Sequence, residues 1–175
     1  MKDRAPDIRV EEAFSGANLS AVQDLCRLFR LWLFERYPED RDKIDAYYNP
    51  DAYEKLLADL PVLHGPPDGT ILLAKADKVA CGCVMLSRVD ATRCEMKRLF
   101  VDPGQRGTGA GSALCEALLH SAKTSGYETM VLDTGPLHHE AKALYVKFGF
   151  SPCTAYYDPG VEWRDKLLFM QRDLR

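Results

Sequence analysis

Gln105-Arg106-Gly107-Thr108-Gly109-Ala110-Gly111 is the stretch whose reading decides the fold. It follows an apolar and β-branched run, Arg93–Val101 (RCEMKRLFV), that Asp102-Pro103-Gly104 brings to an end. It precedes a helical pattern that places Leu114, Ala117, Leu118 and Ser121 on one face and stops at Gly126. A strand, a glycine loop and a helix in this order make a corner where the backbone turns sharply and a ligand can approach without a Cβ in the way. A helix running from Gly107 to Ser125 points its free N–H groups and its positive dipole end at the loop, which suits a phosphate.

Three phosphate-binding loops compete for this pattern. A Walker A loop needs Lys-Ser/Thr after its second glycine; Gly104 and Gly109 have the spacing, but Ala110-Gly111 follows. A dinucleotide fingerprint starting at Gly107 meets Ser112 where its third glycine belongs, and the unit comes late, after antiparallel strands. The third pattern, Arg-x-x-Gly-x-Gly, is matched at Arg106, Gly109 and Gly111. A glycine corner that binds nothing is the bland alternative.

Upstream, Ile8–Ala13 reads as a short strand and Asn18 or Ser20 as the cap of a helix running to Arg36. Val22, Leu25, Cys26, Phe29, Trp32 and Leu33 share one face of that helix. A broken helical stretch covers 40–59, with Asn49 as cap and Pro50 at the first helical position of its later half. The proline- and glycine-rich run 60–69 reads as a loop. Thr70–Ala74 and Val79–Ser87 form an antiparallel hairpin about Asp77-Lys78. Downstream, Glu128–Thr134 is a strand parallel to Arg93–Val101, and a short helix spans 138–148. Phe150–Tyr156 and Lys166–Leu174 form the closing strands. The order predicts a mixed α/β domain: a twisted central sheet of six or seven mixed strands flanked by about four helices.

The 175 residues suit a single domain, 1–175, large enough to bury a core unaided. A net charge of −3 argues against a nucleic-acid partner, and no apolar run reaches the roughly 18 residues of a membrane span. The first residues show no apolar signal segment, and Cys26, Cys81, Cys83, Cys94, Cys115 and Cys153 lack metal-ligand spacing. They read as reduced thiols of a cytoplasmic protein. His139-Glu140-x-x-Ala143 lacks the second histidine of a zinc motif, so no metal site is expected. The charge is uneven. Residues 1–60 carry nine Lys/Arg and thirteen Asp/Glu, a net of −4, against fourteen and thirteen, a net of +1, for residues 61–175.

The Arg106–Gly111 pattern resembles the acetyl-CoA loop of the GNAT superfamily of N-acetyltransferases. Glu95–Pro103 before it is similar to the family's pantetheine-binding strand, and Ala143-Leu144-Tyr145-Val146-Lys147-Phe148-Gly149-Phe150 to its later helix and following strand. The three segments stand in family order and spacing over about residues 79–156. The resemblance implies that the backbone of Arg106, Gly107, Thr108, Gly109, Ala110 and Gly111 holds the CoA pyrophosphate, as a nest of N–H groups solvates an oxyanion. It implies that Leu99, Phe100 and Val101 pair with the pantetheine arm, with the Val101 N–H polarising the thioester carbonyl.

By the same resemblance Glu95 matches the general base and Tyr145 the general acid that protonates the leaving thiolate. A lysine-like amine is neutral only about 0.04% of the time at pH 7, a cost of roughly 4.6 kcal/mol, so a proton acceptor is needed. Transfer from a phenol near pKa 10 to a thiol near 8.5 is uphill by about 2 kcal/mol. The alternatives are that Glu95 pairs with a nearby Lys or Arg and that Tyr145 packs beside Leu144 and Phe148. His138 stands where the family often has an asparagine on the CoA arm, a departure that makes the contact depend on tautomer. Lys142 and Lys147 lie toward the expected 3′-phosphate but also fit as plain surface charges.

Family acceptors enter across the first helices and the late hairpin. Here those regions hold Tyr47, Tyr48, Tyr53, Tyr156, Tyr157 and Trp163 with Glu35, Glu39, Asp40, Asp42 and Asp45, which suits a small or cationic amine and equally fits a solvated acidic helix over aromatic core residues. The expectation is an acetyl-CoA-dependent N-acetyltransferase acting on a small-molecule or peptide amine, as monomer or homodimer. A non-catalytic acyl-CoA-binding module is the alternative.

Overall fold

Asp77 and Lys78 both have positive φ, 47° and 72°, and so make the tight turn that right-twisted strands accept. The turn joins β2 (Thr70–Ala76) to β3 (Val79–Arg88). The computed structural model of the chain describes residues 4–175. Before the hairpin come β1 (Ile8–Glu12), α1 (Gly16–Arg36), α2 (Arg41–Tyr47), α3 (Pro50–Ala58) and the single turn α4 (Leu60–Leu63). After it come β4 (Arg93–Val101), α5 (Ala110–Thr124), β5 (Thr129–Thr134), α6 (His139–Lys147), β6 (Ser151–Pro152) and β7 (Leu168–Asp173). The seven strands form one sheet in the order β1-β2-β3-β4-β5-β7-β6. The β4–β5 pair is parallel and the other neighbours are antiparallel.

Alternation along the strands sends two apolar sets to opposite faces. Cys94, Met96, Met130 and Leu132 pack with Leu114, Leu118 and Tyr145 of α5 and α6. Ile71, Leu73, Cys83, Met85 and Phe100 pack with Val22, Leu25 and Leu57 of α1 and α3. Leu114 and Leu118 are fully buried, and truncating either to alanine costs about 2–5 kcal/mol.

Some boundaries differ from expectation. The first helix starts after Ser15, because Asn18 Nδ2 donates instead to Glu11 and to the Glu12 carbonyl. Residues 60–63 form a turn of helix rather than loop, with Pro61 in its first turn, where a missing N–H costs nothing. The stretch 40–59 splits as expected, and Asn49 Oδ1 accepts from the Ala52 N–H at 3.3 Å. The strand expected over Phe150–Tyr156 is only Ser151–Pro152. The last strand begins at Leu168, because hydrogen bonds from Arg164, Lys166 and Leu167 to the Gly160 and Trp163 carbonyls turn the preceding chain.

One irregularity positions everything that follows. Between Met85↔Lys97 and Cys83↔Phe100, two steps of β3 face three of β4, so β4 bulges, and Arg98 takes φ 52°. That backbone conformation costs a side-chain-bearing residue about 1–2 kcal/mol. The bulge puts Lys97 and Arg98, neighbours in sequence, on the same face as Glu95 and Phe100, while Met96 and Leu99 face α5. It also turns β4 away from β5. The parallel ladder runs Arg93↔Thr129, Cys94↔Met130, Glu95↔Val131 and stops there, although β4 continues to Val101 and β5 to Thr134.

Candidate active site

The gap left by the parting strands opens into a cleft of about 430 Å³. Leu99, Phe100 and Val101 form one wall, the loop Gln105–Gly107 with Gly109–Ser112 another, and His138, Glu140, Ala141 and Leu144 a third; Phe29 and Trp32 of α1 close it. Gly107 and Gly109 have φ 80° and 94°, a conformation only glycine takes freely, so α5 starts at Ala110 and not at Gly107 as expected. Among the described residues the amides of Gly107 through Ser112 find no acceptor; the first helical bond is Ala113 N–H to the Gly109 carbonyl at 3.0 Å. Unpaired donors of this kind beside the positive end of a helix dipole suit an anion. Thr108 does not line the cleft; its Oγ1 donates to the Gln105 carbonyl at 2.8 Å and pins the loop.

The strand edge contributes a further donor. Asp102 N–H bonds the Cys81 carbonyl at 2.9 Å, and Cα partners step back through Gly82↔Val101 to Cys83↔Phe100. Antiparallel pairs alternate between bonded and non-bonded, so the Val101 N–H points away from β3, toward the side that β5 has left.

Arg106 is not a freely solvated arginine. Its Nη1 donates to Glu140 Oε1 at 3.0 Å and its guanidinium lies 5.3 Å from the Trp32 ring centre, while Arg36 holds the other Glu140 oxygen at 2.9 Å. His138 packs its ring 5.1 Å from Trp32, and its Nδ1 meets Thr134 Oγ1 at 3.2 Å. Burial, with Arg36 nearby, lowers its pKa to about 4, so the ring is neutral at neutral pH. Its Nε2 is buried with no partner, an orphan polar atom on the cleft wall.

Glu95 lies where the ladder ends, 8% exposed, on the α1 side of the sheet. Oε1 accepts from Tyr156 at 2.7 Å and Oε2 pairs with Lys97 at 2.9 Å, so the ion pair weighed from sequence is present. Asp133, near the end of β5, accepts from Tyr157 at 3.0 Å. Burial raises the Asp133 pKa, the Tyr157 bond offsets part of that, and the Glu95 charge adds to it. Burial and then the facing carboxylate hold both phenols well above pKa 10, so both remain donors. Tyr47 meets Trp163 at 6.2 Å and Tyr48 at 4.9 Å, so these rings gather at the same end, while Tyr53 is buried under α1 with its hydroxyl on the Cys26 carbonyl.

Tyr145 is 5% exposed and sits in the α5–α6 core against Phe150, ring centres 5.9 Å apart. Its hydroxyl has no protein partner among the described residues, yet it is not sealed as the His138 Nε2 is. Burial raises its pKa. Of the carboxylates expected at the acceptor entrance, Asp45 pairs with Arg30 and Asp40 with Lys43 and Lys166; Glu35, Glu39 and Asp42 have no ion pair among the described residues.

Comparison with known proteins places the chain in a family. The model of the acetyltransferase (GNAT) family matches residues 23–150. The chain belongs to the GNAT acetyltransferase family. An uncharacterized N-acetyltransferase of Schizosaccharomyces pombe is 38% identical over 96 residues, which span 54% of this chain and 59% of that relative. An acetyltransferase from Streptococcus agalactiae superposes with a TM-score of 0.72 at 19% identity, covering 95% of this chain and 98% of that one. The PaiA N-acetyltransferase of Thermoplasma acidophilum, solved in complex with coenzyme A, gives a TM-score of 0.71 at 19% identity, covering 95% and 99%. These superpositions show a shared GNAT fold.

In the GNAT frame, most residues assigned from sequence come together: Leu99–Val101, Arg106, Gly107, Gly109–Gly111 and His138 line one cleft, and Glu95 ends the ladder beside it. The unpaired amides and the orphan His138 Nε2 are what a pyrophosphate and an amide-bearing arm would satisfy, so the residues present fit coenzyme A. Phe29 and Trp32 were legible only as the apolar face of a helix. Asp133 was absorbed into an apolar strand; an acid near the carboxyl end of a central strand was the available signal.

Proposed function

We propose that the chain is an acetyl-CoA-dependent N-acetyltransferase, a single domain that acetylates a primary amine by direct attack. The observation that carries this is the run of unpaired amides from Gly107 to Ser112, which leads to a free Val101 N–H one strand-length from Glu95. When bound, acetyl-CoA supplies a thioester carbonyl for the amine to attack, giving an amide and a free thiol.

The chain's own groups then have defined tasks. The loop amides and the Arg106 guanidinium neutralise diphosphate charge. The Val101 N–H donates to the acyl oxygen as negative charge gathers there. Glu95 takes a proton from the incoming ammonium, directly or through water; its carboxylate already accepts from Tyr156 and Lys97 but has lone pairs to spare. Tyr145, buried behind the residues that line the cleft, is assigned as the donor to the departing sulfur. Its raised pKa keeps it protonated and makes complete transfer harder than the roughly 2 kcal/mol of an ordinary phenol, so hydrogen bonding carries most of its effect.

Thiol release from acetyl-CoA over a panel of amines tests the proposal. Acetyl-CoA binding without release for any amine would favour the acyl-CoA-binding module instead.

A further inference from the structure

Arg98 is a cation whose environment the reaction above does not use. The β4 bulge turns it onto the face that carries Glu95, at a positive φ that few arginines adopt. Among the described residues its side chain has one hydrogen bond, from Nη1 to His64 Nε2 at 3.3 Å, and no carboxylate within ion-pair distance. None of its donors is sealed off, so Nε and Nη2 remain open to solvent.

That single bond is built with care. His64 is 3% exposed, and burial and the Arg98 charge lower its pKa to about 4, so it is neutral. A guanidinium has no lone pair, so Nε2 must be the acceptor and Nδ1 must carry the proton. Nδ1 then donates to Ser87 Oγ at 2.7 Å, with the Leu86 carbonyl at 3.4 Å. Ser87 is itself the cross-strand partner of Glu95. The chain Ser87–His64–Arg98 therefore fixes a planar cationic fork on the acceptor face and leaves its other donors free. Asp133, two residues beyond the Glu95 partner Val131 on β5, stands on the same face of the sheet as Glu95.

We infer that Arg98 is the anchor for a carboxylate carried by the acceptor, so that the substrate class is an amino-carboxylate, with its ammonium toward Glu95 and Asp133 and its carboxylate in the Arg98 fork. This rests on the acetyltransferase proposal. A planar carboxylate matches the fork in a bidentate manner. A phosphate dianion matches less well, because Glu95 and Asp133 share the site and would repel its second charge. A purely cationic amine leaves Arg98 unanswered and adds a like charge beside it.

The test uses three compounds for each of leucine, phenylalanine and lysine: the free amino acid, its amide and the amine lacking the carboxylate. A dipeptide with a C-terminal leucine separates a free amino acid from a peptide end. Wild type is expected to turn over the free acid with kcat/KM about tenfold or more above the amide. Arg98→Met should bring that ratio to near one, and Arg98→Lys, which keeps charge without the fork, should fall between. Unchanged acetyl-CoA affinity shows that the variants are folded. Equal rates for acid and amide in wild type, or equal loss on all three compounds in Arg98→Met, would overturn the inference and leave the acetyltransferase proposal intact. Should no amine release thiol, the acetyltransferase proposal fails, and calorimetry with the same amino acids decides: heat lost in Arg98→Met supports the anchor, and no heat with wild type overturns it.

Discussion

Replacing Gly109 with alanine perturbs the backbone without a steric clash, because an added Cβ would meet no atom within 4 Å although φ is 94°. A side-chain-bearing residue held in the left-handed region costs roughly 1–2 kcal/mol. In a chain of this size each kcal/mol lowers Tm by about 2–4 °C, so a loop that keeps its shape loses about 2–8 °C. A loop that relaxes to negative φ avoids that cost but swings the Gly109 and Ala110 amides off the anion site, and acetyl-CoA binds about tenfold more weakly. Gly126, at the other end of α5, is the control: its φ is 83° and its Cβ position is equally open. Scanning calorimetry with and without acetyl-CoA reads both effects. At a ligand concentration 100 times the wild-type Kd, the ligand stabilises wild type by about 2.7 kcal/mol, and a tenfold weaker variant by about 1.4 kcal/mol. Gly126→Ala is expected to lose stability but keep the full ligand increment, whereas Gly109→Ala loses stability, increment or both. The reasoning is refuted by a Gly109→Ala protein with wild-type Tm and affinity, or by Gly126→Ala weakening acetyl-CoA as much.

Glu95→Gln is expected to lower kcat/KM about 100-fold near pH 7 with acetyl-CoA affinity unchanged, and to recover as pH rises toward the amine pKa; a flat deficit across pH would assign Glu95 to structure. Tyr145→Phe should lower kcat about tenfold without changing acetyl-CoA Kd, and an unchanged rate at every pH removes its donor role. Arg106→Ala should weaken acetyl-CoA several-fold and flatten the salt dependence of binding, read by titration at low and physiological ionic strength. His64 and His138 have folded pKa values of about 4 against an unfolded value near 6.5. Between those limits the unfolded chain binds protons that the folded chain refuses, so stability is full above about pH 6.5 and falls as pH drops toward 4. The loss is at most about 3 kcal/mol per histidine. Urea unfolding at pH 7 and 4.5 should show a shallower decline in His138→Asn than in wild type; equal declines would contradict the buried neutral ring.

The parts of the site that were legible from sequence are those whose chemistry is local. Glycines at 107 and 109 can take a left-handed turn wherever they stand, and a strand–loop–helix order fixes where the helix amides point. The Asn49 cap was readable because its side chain bonds a backbone three residues on. What was not readable depends on partners distant in sequence. The β4 bulge exists because β3 pairs on both sides of it, and nothing in Lys97-Arg98-Leu99 requires a positive φ at an arginine. That one backbone choice parts β4 from β5 and turns Arg98 onto the face that carries Glu95. The His64–Ser87 support for it joins residues 23 apart. The acidic surplus of residues 1–60 suggested a cationic acceptor, but Asp40 and Asp45 are held in ion pairs and the sheet presents Lys97 and Arg98 as well as carboxylates. Charge counted by segment could not show which charges answer one another in space.

The claim that the Gly107–Ser112 amides hold coenzyme A is tested most directly by parallel calorimetric titration with acetyl-CoA, free CoA and NADH. Saturable heat with both acetyl-CoA and CoA, and none with NADH, is the expected result. Tight NADH binding with no CoA signal would contradict it.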